Sequence, residues 1–340
     1  MTKHFTVPIF IPQQGCPFQC VFCNQRKITD KGHMPEVGEV NEIITQHLAT
    51  FPEGEKHIEI GFFGGSFTGI APGKQEEMLQ VAHSWLESGK VHGIRLSTRP
   101  DYISEEGLHL LKKYNVTTIE LGVQSMDEGV LCESERGHTA KDVEKASGMI
   151  LGHGFRLGLQ MMIGLPGDTI EKAIFTAKQI IALGAVETRI YPVLVIKQTK
   201  LEDWYNEGKY QPLSLEEAVN WLKQIIPLFE EAGVEVTRIG LHSSVGEPSG
   251  SKLVAGPYHP SIRELAMTEV WWDRMEEMTK DRTGARCEIR VHPSQYNFAI
   301  GYYGKNRERL EKRFDKVIFN KDLLLRTNEL QIEMTPHNLI

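Results

Sequence analysis

The sequence predicts an α/β fold: a full or partial (β/α) barrel followed by a smaller C-terminal α/β domain. Three observations carry this. Apolar, β-branched runs recur through the first 240 residues, at Thr6 to Ile11, His57 to Phe63, Ile94 to Thr98, Thr117 to Val123, Arg156 to Ile163, Glu187 to Val195 and Glu235 to Leu241. Stretches of helical period separate most of them, and a parallel strand can be reached only through a crossover. Strand then helix, repeated about six times, therefore closes a parallel sheet with helices outside. After Leu241 the alternation stops, giving expected boundaries of 1–241 for the barrel and 242–340 for the second domain.

The helices follow from periodicity and end signals. Val37, Val40, Ile43, Ile44, His47 and Leu48 share one face, as do Met78, Leu79, Ala82, Trp85 and Leu86. Asp168 with Glu171 reads as a DxxE start, Ser214 with Glu217 as a SxxE start, and Gly184 and Gly233 as helix ends. Beyond Leu241 the sequence predicts a loop from His242 to Gly256 and a long helix opened by Ser261 and Glu264. Short strands follow at Cys287 to His292, Lys316 to Phe319 and Gln331 to Met334.

Composition excludes several classes. The chain has 340 residues, 40% hydrophobic and 24% charged, with no apolar run near membrane-spanning length. Met1 to Gly15 carry one lysine before a short apolar stretch and do not read as a cleaved signal, so a cytoplasmic location is expected. Five cysteines, unevenly placed, do not make a disulfide scaffold and fit a reducing compartment. Net charge is -7, yet Arg282 to Lys316 holds nine Lys/Arg against four Asp/Glu, which hints at a polyanionic partner.

Chemistry concentrates in GCPFQCVFCNQ, where Cys16, Cys20 and Cys23 form CxxxCxxC just after the first strand, on a loop set by Gly15 and Pro17. Chance produces such a pattern in roughly one chain in a thousand at this cysteine frequency. A zinc site or coincidentally close thiols are the alternatives, but structural zinc usually takes four ligands and no fourth lies nearby in sequence. Three thiolates on a 4Fe-4S cluster leave one iron open to the amino and carboxylate groups of a methionine. In barrels of this kind chemistry gathers at the C-terminal strand ends, where these residues fall.

On these residues the chain resembles the radical S-adenosylmethionine (SAM) superfamily. Over roughly residues 5 to 335 it is similar to the radical SAM portion of the Elongator catalytic subunit, and more distantly to oxygen-independent coproporphyrinogen oxidase. The motifs are FFGGSFTGI (Phe62 to Ile70), STRPDYI (Ser97 to Ile103), ELGVQS (Glu120 to Ser125), ERGHT (Glu135 to Thr139), QMMIGLPGD (Gln160 to Asp168) and YPVLVIKQTKLEDWY (Tyr191 to Tyr205). The resemblance implies a barrel of the radical SAM type, a 4Fe-4S cluster, SAM and a low-potential electron donor of flavodoxin or ferredoxin type. It also implies roles: Phe22 near adenine, Gly64, Gly65 and Ser66 at the SAM amino group, Ser97 and Arg99 along the ribose, and Gln124 and Arg136 as polar SAM contacts that serve catalysis. Gln160 falls at a position held by Asp in the oxidase, and Ile163 is expected in the adenine wall, with core packing the equal alternative for it and for Met161 and Leu165.

The Elongator subunit adds an acetyltransferase domain and a basic N-terminal extension; neither is expected in the residues after Leu241 or before Cys16. The expected substrate is RNA such as tRNA, met by Lys305, Arg307, Arg309, Lys312 and Arg313 beside Tyr302 and Tyr303, unless that segment is simply a solvated helix. A small metabolite or peptide inside the barrel, or a non-catalytic iron-sulfur or RNA-binding protein, are the alternatives. Cys132 and Cys287 read as buried thiols, with Cys132 near enough to Arg136 in sequence to border a site. His242, His259 and His292 read as loop or core residues.

Overall fold

The computed structural model describes residues 3–12, 19–23, 34–241 and 252–337. Seven strands make one parallel sheet in chain order: β1 (Lys3–Ile11), β2 (Lys56–Gly64), β3 (Gly93–Thr98), β4 (Thr118–Gln124), β5 (Arg156–Ile163), β6 (Glu187–Pro192) and β8 (Glu235–Ile239). Among the described residues β1 and β8 do not pair with each other, so the barrel is partial, a curled half-barrel with one open side. A two-residue strand, β7 (Val195–Ile196), pairs antiparallel with β9 (Leu253–Ala255). That pairing lies where a loop was predicted, because two-residue ladders leave no periodic signal; His242 lies outside the described residues.

Helices fill the crossovers: α1 (Val37–Thr50), α2 (Pro72–Glu87), α3 (Glu105–Lys113), α4 (Glu128–Glu133), α5 (Ala140–Gly152), α6 (Ile170–Ala182), α7 (Lys200–Asn206) and α8 (Leu215–Glu231). Ser214 and Glu217 form the predicted reciprocal cap on α8. At α6 the cap is Thr169 rather than Asp168. Asp168 instead accepts hydrogen bonds from the Gly164 and Thr169 amides at 2.9 Å, closing the preceding turn. With two acceptors in sequence, the turn took one and the helix the other. No helix among the described residues is long and apolar enough to cross a membrane.

The C-terminal part contributes α9 (Ile262–Thr279), α10 (Tyr296–Ile300) and α11 (Lys305–Glu311). Its three-stranded sheet has β10 (Gly284–Val291) between β11 (Phe314–Lys321) and β12 (Leu330–Thr335), parallel to the first and antiparallel to the second. Helix α9 packs on α8, and one apolar core runs from the strands through Phe229 and the fully buried Trp271 to Cys287 and Ile289. The two sheets share that core.

The end of β2 depends on absent side chains. Gly64 has φ +107°, and a Cβ there would lie 2.6 Å from the Ile11 carbonyl oxygen. The Gly65 amide donates to that oxygen at 2.7 Å, and a Gly65 Cβ would lie 2.6 Å from the carbonyl oxygen of Pro12. These glycines let the ends of β1 and β2 meet. Gly65→Ala is expected to cost about 1–3 kcal/mol, because backbone must move to admit the methyl. Urea unfolding measures this; an unchanged midpoint would show that the end of β1 yields freely.

Candidate active site

The cysteine segment is held from both sides. The Val21 amide donates to Ser134 O at 3.2 Å, just beyond α4, and the Leu201 amide at the start of α7 donates to Val21 O at 2.9 Å. Val21 is buried in a small apolar cluster with Val130, Leu165, Val193, Val195, Leu201 and Tyr210, against which Phe22 packs. Cys23 N donates to Cys20 O at 2.9 Å, a tight turn that keeps the two cysteines together. Cys16 lies outside the described residues.

Arg136 binds this loop to the sheet. Its Nη1 donates to Cys20 Sγ at 3.1 Å and its Nη2 to Gly122 O at 2.6 Å. A Cβ at Gly122 would lie 2.9 Å from Gln124 Nε2 and 3.4 Å from Arg136 Nη2, so a side chain there would displace the ends of both. Arg136 is buried, at 7% exposure, which excludes a solvated surface arginine. Its carbonyl accepts from Arg99 Nη2 at 2.7 Å, and Arg99 is paired with Asp101 at 2.9 Å and 3.0 Å. Arg99 therefore supports Arg136 from behind and does not face the cavity where the ribose was expected, because Asp101 two residues on captures it.

A cavity of about 490 Å³ opens inside the half-barrel, a ligand-sized volume. Phe22, Cys23, Gly64, Ser97, Gln124 and Gln160 line it, bringing six predicted residues together. Gly65 and Ser66 are not on its wall, and Ser66 is buried in the turn after β2. Ile163 is also absent from the wall. It is fully buried among the helices together with Met161, because side chains alternate along β5 and turn Gln160 and Met162 inward instead. Gln124 is strained: φ is +68°, the ladder to β5 shifts register between Gly122 and Gln124, and its Oε1 is buried with no hydrogen-bond partner among the described residues. An unpaired acceptor on a left-handed backbone is a mark of a ligand site.

Beneath the cavity lies an ionic network from five strands. Arg95 meets Glu59 at 3.1 Å, Glu120 at 2.9 Å and also Glu187. Arg189 Nη2 meets Glu120 at 2.9 Å, and Gln160 Nε2 donates to the other Glu120 oxygen at 2.9 Å and to Ser97 Oγ at 3.3 Å. Burial opposes the Arg95 charge, but Glu120, Glu187 and Glu59 outweigh it and raise its pKa. Burial pushes Glu187 up, with Arg95 partly offsetting. Apart from Ser97 and Gln160, the members of this network were not singled out from sequence, nor were Arg189, Tyr191 and Arg238 on the cavity wall. The available signal was charge at inward positions of otherwise apolar strands.

Other predicted features fall elsewhere. Cys132 is exposed on α4 rather than buried, because its position turns away from the helix's packed face, whereas Cys287 is buried and its thiol is pushed up to about 11 by burial. His259 is half-buried, and His292 is buried with Nδ1 at 2.8 Å from Ser294 Oγ. The basic segment does not form a row of unpaired cations. Lys305 and Arg309 pair with Glu269, and Arg313 with Glu276, all on α9. Arg309 and Arg313 also lie over the Trp272 ring. A larger cavity of about 1050 Å³ between α8, α9 and α11 is lined by Glu269, Lys305 and Arg309 among others and holds neither cysteines nor strand ends.

This arrangement was compared with known proteins. The model of the radical SAM superfamily matches residues 10–180, about half of the chain, and that of the radical SAM C-terminal domain matches residues 187–271. The chain belongs to the radical SAM superfamily. Within it, the tRNA uridine(34) acetyltransferase of Methanocaldococcus infernus is 33% identical over 165 residues, 45% of this chain and 30% of that protein. Elongator complex protein 3 of Schizosaccharomyces pombe is 29% identical over 269 residues, 76% of this chain and 47% of that protein. The chain thus spans less than half the length of either relative. The structure of the archaeal M. infernus Elp3 shares the fold, with TM-score 0.64 and 22% identity over 87% of this chain and 68% of that one. The chain is a radical SAM enzyme of α/β half-barrel fold.

His138 sits behind Arg136, with Nε2 3.2 Å from Val123 O. Burial first, then the Arg136 and Arg99 charges, lower its pKa from 6.5 to about 3, so the folded protein keeps it neutral. The unfolded chain takes a proton near pH 6.5. The stability His138 contributes is therefore complete above that pH and is lost as pH falls toward 3, with about 2 kcal/mol gone by pH 5. Urea unfolding at pH 7 and pH 5 should show a smaller loss for His138→Gln; equal losses would rule His138 out as the cause.

Proposed function

We propose that Cys16, Cys20 and Cys23 hold a 4Fe-4S cluster, that SAM binds in the half-barrel cavity beside them, and that the substrate is an RNA, tRNA foremost. The observation that carries the cofactor reading is the convergence of Cys23 and Gln124 on one cavity, with the Arg136-anchored Cys20 in the same turn as Cys23. The donor set fits the group: two cysteines sit in one turn, and Arg136 holds the sulfur of one of them at 3.1 Å. When bound, the cluster supplies the electron that cleaves SAM reductively to a 5′-deoxyadenosyl radical.

The chain's own residues bind and orient. Arg136 is not itself on the cavity wall; its buried Nε has no partner among the described residues and is the donor this reading offers to the SAM carboxylate. Gln124 Oε1 accepts from SAM, and Phe22, Gly64, Ser97 and Gln160 shape the wall around it. A flavodoxin- or ferredoxin-type protein delivers the electron, in a cytoplasmic setting that suits exposed thiol chemistry. The RNA reading rests on the printed names of the relatives and on the basic stretch from Arg282 to Lys316. With Lys305, Arg309 and Arg313 paired to α9, Arg307 of α11 and the exposed Lys312 just after it are what this segment offers to phosphate.

Anaerobic reconstitution tests the cofactor reading. The protein should take up about four irons and four sulfides, and Ala at Cys16, Cys20 or Cys23 should abolish uptake. Arg136→Ala should keep its iron and lose SAM affinity. Full iron retention in the triple cysteine variant would sink the reading.

Filter binding of total tRNA across salt tests the substrate. Affinity should fall steeply as salt rises, and Arg307→Gln with Lys312→Gln should flatten the log-log slope by up to about two units, one per lost phosphate contact. An unchanged slope, or no binding at low salt, removes the charge-based support for RNA.

A further inference from the structure

The cavity has a second end that the SAM reading does not use. Cys23, Gly64, Ser97 and Gln124 belong to the cysteine loop and to β2, β3 and β4, while β6 and β8 form the opposite wall with Arg189, Tyr191 and Arg238. Arg189 and Arg238 are register partners on neighbouring strands, and both line the cavity. Two like charges side by side repel unless an anion lies between or beside them.

Only one of the two charges is met. Arg189 donates to Glu120 at 2.9 Å and its guanidinium lies 4.7 Å from the Phe63 ring centroid. Arg238 has no hydrogen-bond or ion-pair partner among the described residues. The nearby carboxylates are taken: Glu59, Glu120 and Glu187 all converge on Arg95. Burial lowers the Arg238 pKa; Tyr191 opposes this most, the charge of Arg189 adds to the lowering, and Glu120 gives the weakest support. A half-buried cation left in this state is costly in a resting fold and useful in a binding site.

The surroundings state what fits. Phe10, Pro192, Leu194, Ile196 and Leu241 make the same region apolar, and the open side of the half-barrel between β1 and β8 gives access. Adjacent guanidiniums present several parallel N–H donors, a geometry matched by the oxygens of phosphate and carboxylate. We propose that Arg238, with Arg189 beside it and Tyr191 on the same wall, seats an oxyanion of the substrate, a phosphate ester or a carboxylate, while the rest of that molecule lies on the apolar wall. This rests on the reading that SAM occupies the Cys23–Gln124 end.

Residue-resolved arginine labelling tests it on the reconstituted full-length enzyme. Phenylglyoxal should modify Arg238 readily and leave the triply paired Arg95 inert, as read by mass spectrometry. Phenyl phosphate and benzoate are the probes, with exposed Arg326 as internal control. At ten times its dissociation constant the fitting probe should slow labelling of Arg238 about tenfold, by occupancy alone, without changing Arg326. Protection by phenyl phosphate assigns a phosphate ester, protection by benzoate a carboxylate, and protection by both the shared oxyanion. Arg238 as inert as Arg95, or labelled at a rate neither probe changes, overturns the seat. So does equal protection by SAM alone, which would give Arg238 to the cofactor. The oxyanion arms contain neither SAM nor RNA, so failure of SAM to bind, or of tRNA to bind, falls on those readings and leaves this one standing.

Discussion

Glu120 is the group on which the inner face of the sheet depends. It is 1% exposed in the middle of β4, and a carboxylate in such a place costs several kcal/mol unless every oxygen is matched. One oxygen takes Arg95 and Arg189, the other takes Gln160. That single requirement orders four strands: it draws Arg95 from β3, Gln160 from β5 and Arg189 from β6 toward one point. Gly158 yields space for it, since a Cβ there would lie 2.9 Å from Glu120 Cγ and 3.1 Å from Glu187 Oε1. The ligand cavity sits directly above, with Gln160 and Arg189 belonging to both the floor and the wall. A floor of this kind is polar and rigid at once, because moving any member strands a buried charge.

A second chain of polar contacts fixes the cysteine loop. Asp101 holds Arg99, Arg99 holds the Arg136 carbonyl, and Arg136 reaches Cys20 and Gly122. Arg136 puts one guanidinium at the thiol with Arg99 behind it, and burial first, then these two charges, keep the neighbouring His138 neutral. The apolar staple around Val21 does the mechanical part, so loop position and loop electrostatics come from different residues. The same division appears at the end of β2, where Gly64 and Gly65 serve the approach of β1, and only Gly64 reaches the cavity.

The C-terminal part uses its charge mostly on itself. Glu269 and Glu276 of α9 take Lys305, Arg309 and Arg313, and Trp272 lies under two of the guanidiniums. A sum over the segment sees nine bases; the fold leaves far fewer without an acid nearby. Net charge over a stretch of chain is additive, whereas potential at a surface depends on which acids come to rest beside which bases.

Strand and helix order, the seven parallel strands and the cysteine cluster were legible in the sequence, because hydrophobic period and short-range spacing are local properties. So were Phe22, Cys23, Gly64, Ser97, Gln124 and Gln160 as neighbours of one site, since strand ends in a parallel α/β sheet all emerge on one side. Which inward residues matter was not legible: Arg189 and Arg238 are 49 positions apart and meet only through strand register. Nor was the inward or outward sense of Met162 against Ile163, which a one-residue shift would reverse. Arg99, Arg136 and the bases of α11 carry the same charge in any sequence reading. Tertiary structure alone decided that Arg99 braces, Arg136 touches the thiol, Arg309 is neutralised and Arg238 is left without a partner among the described residues, because ion pairing depends on distances that no local pattern encodes.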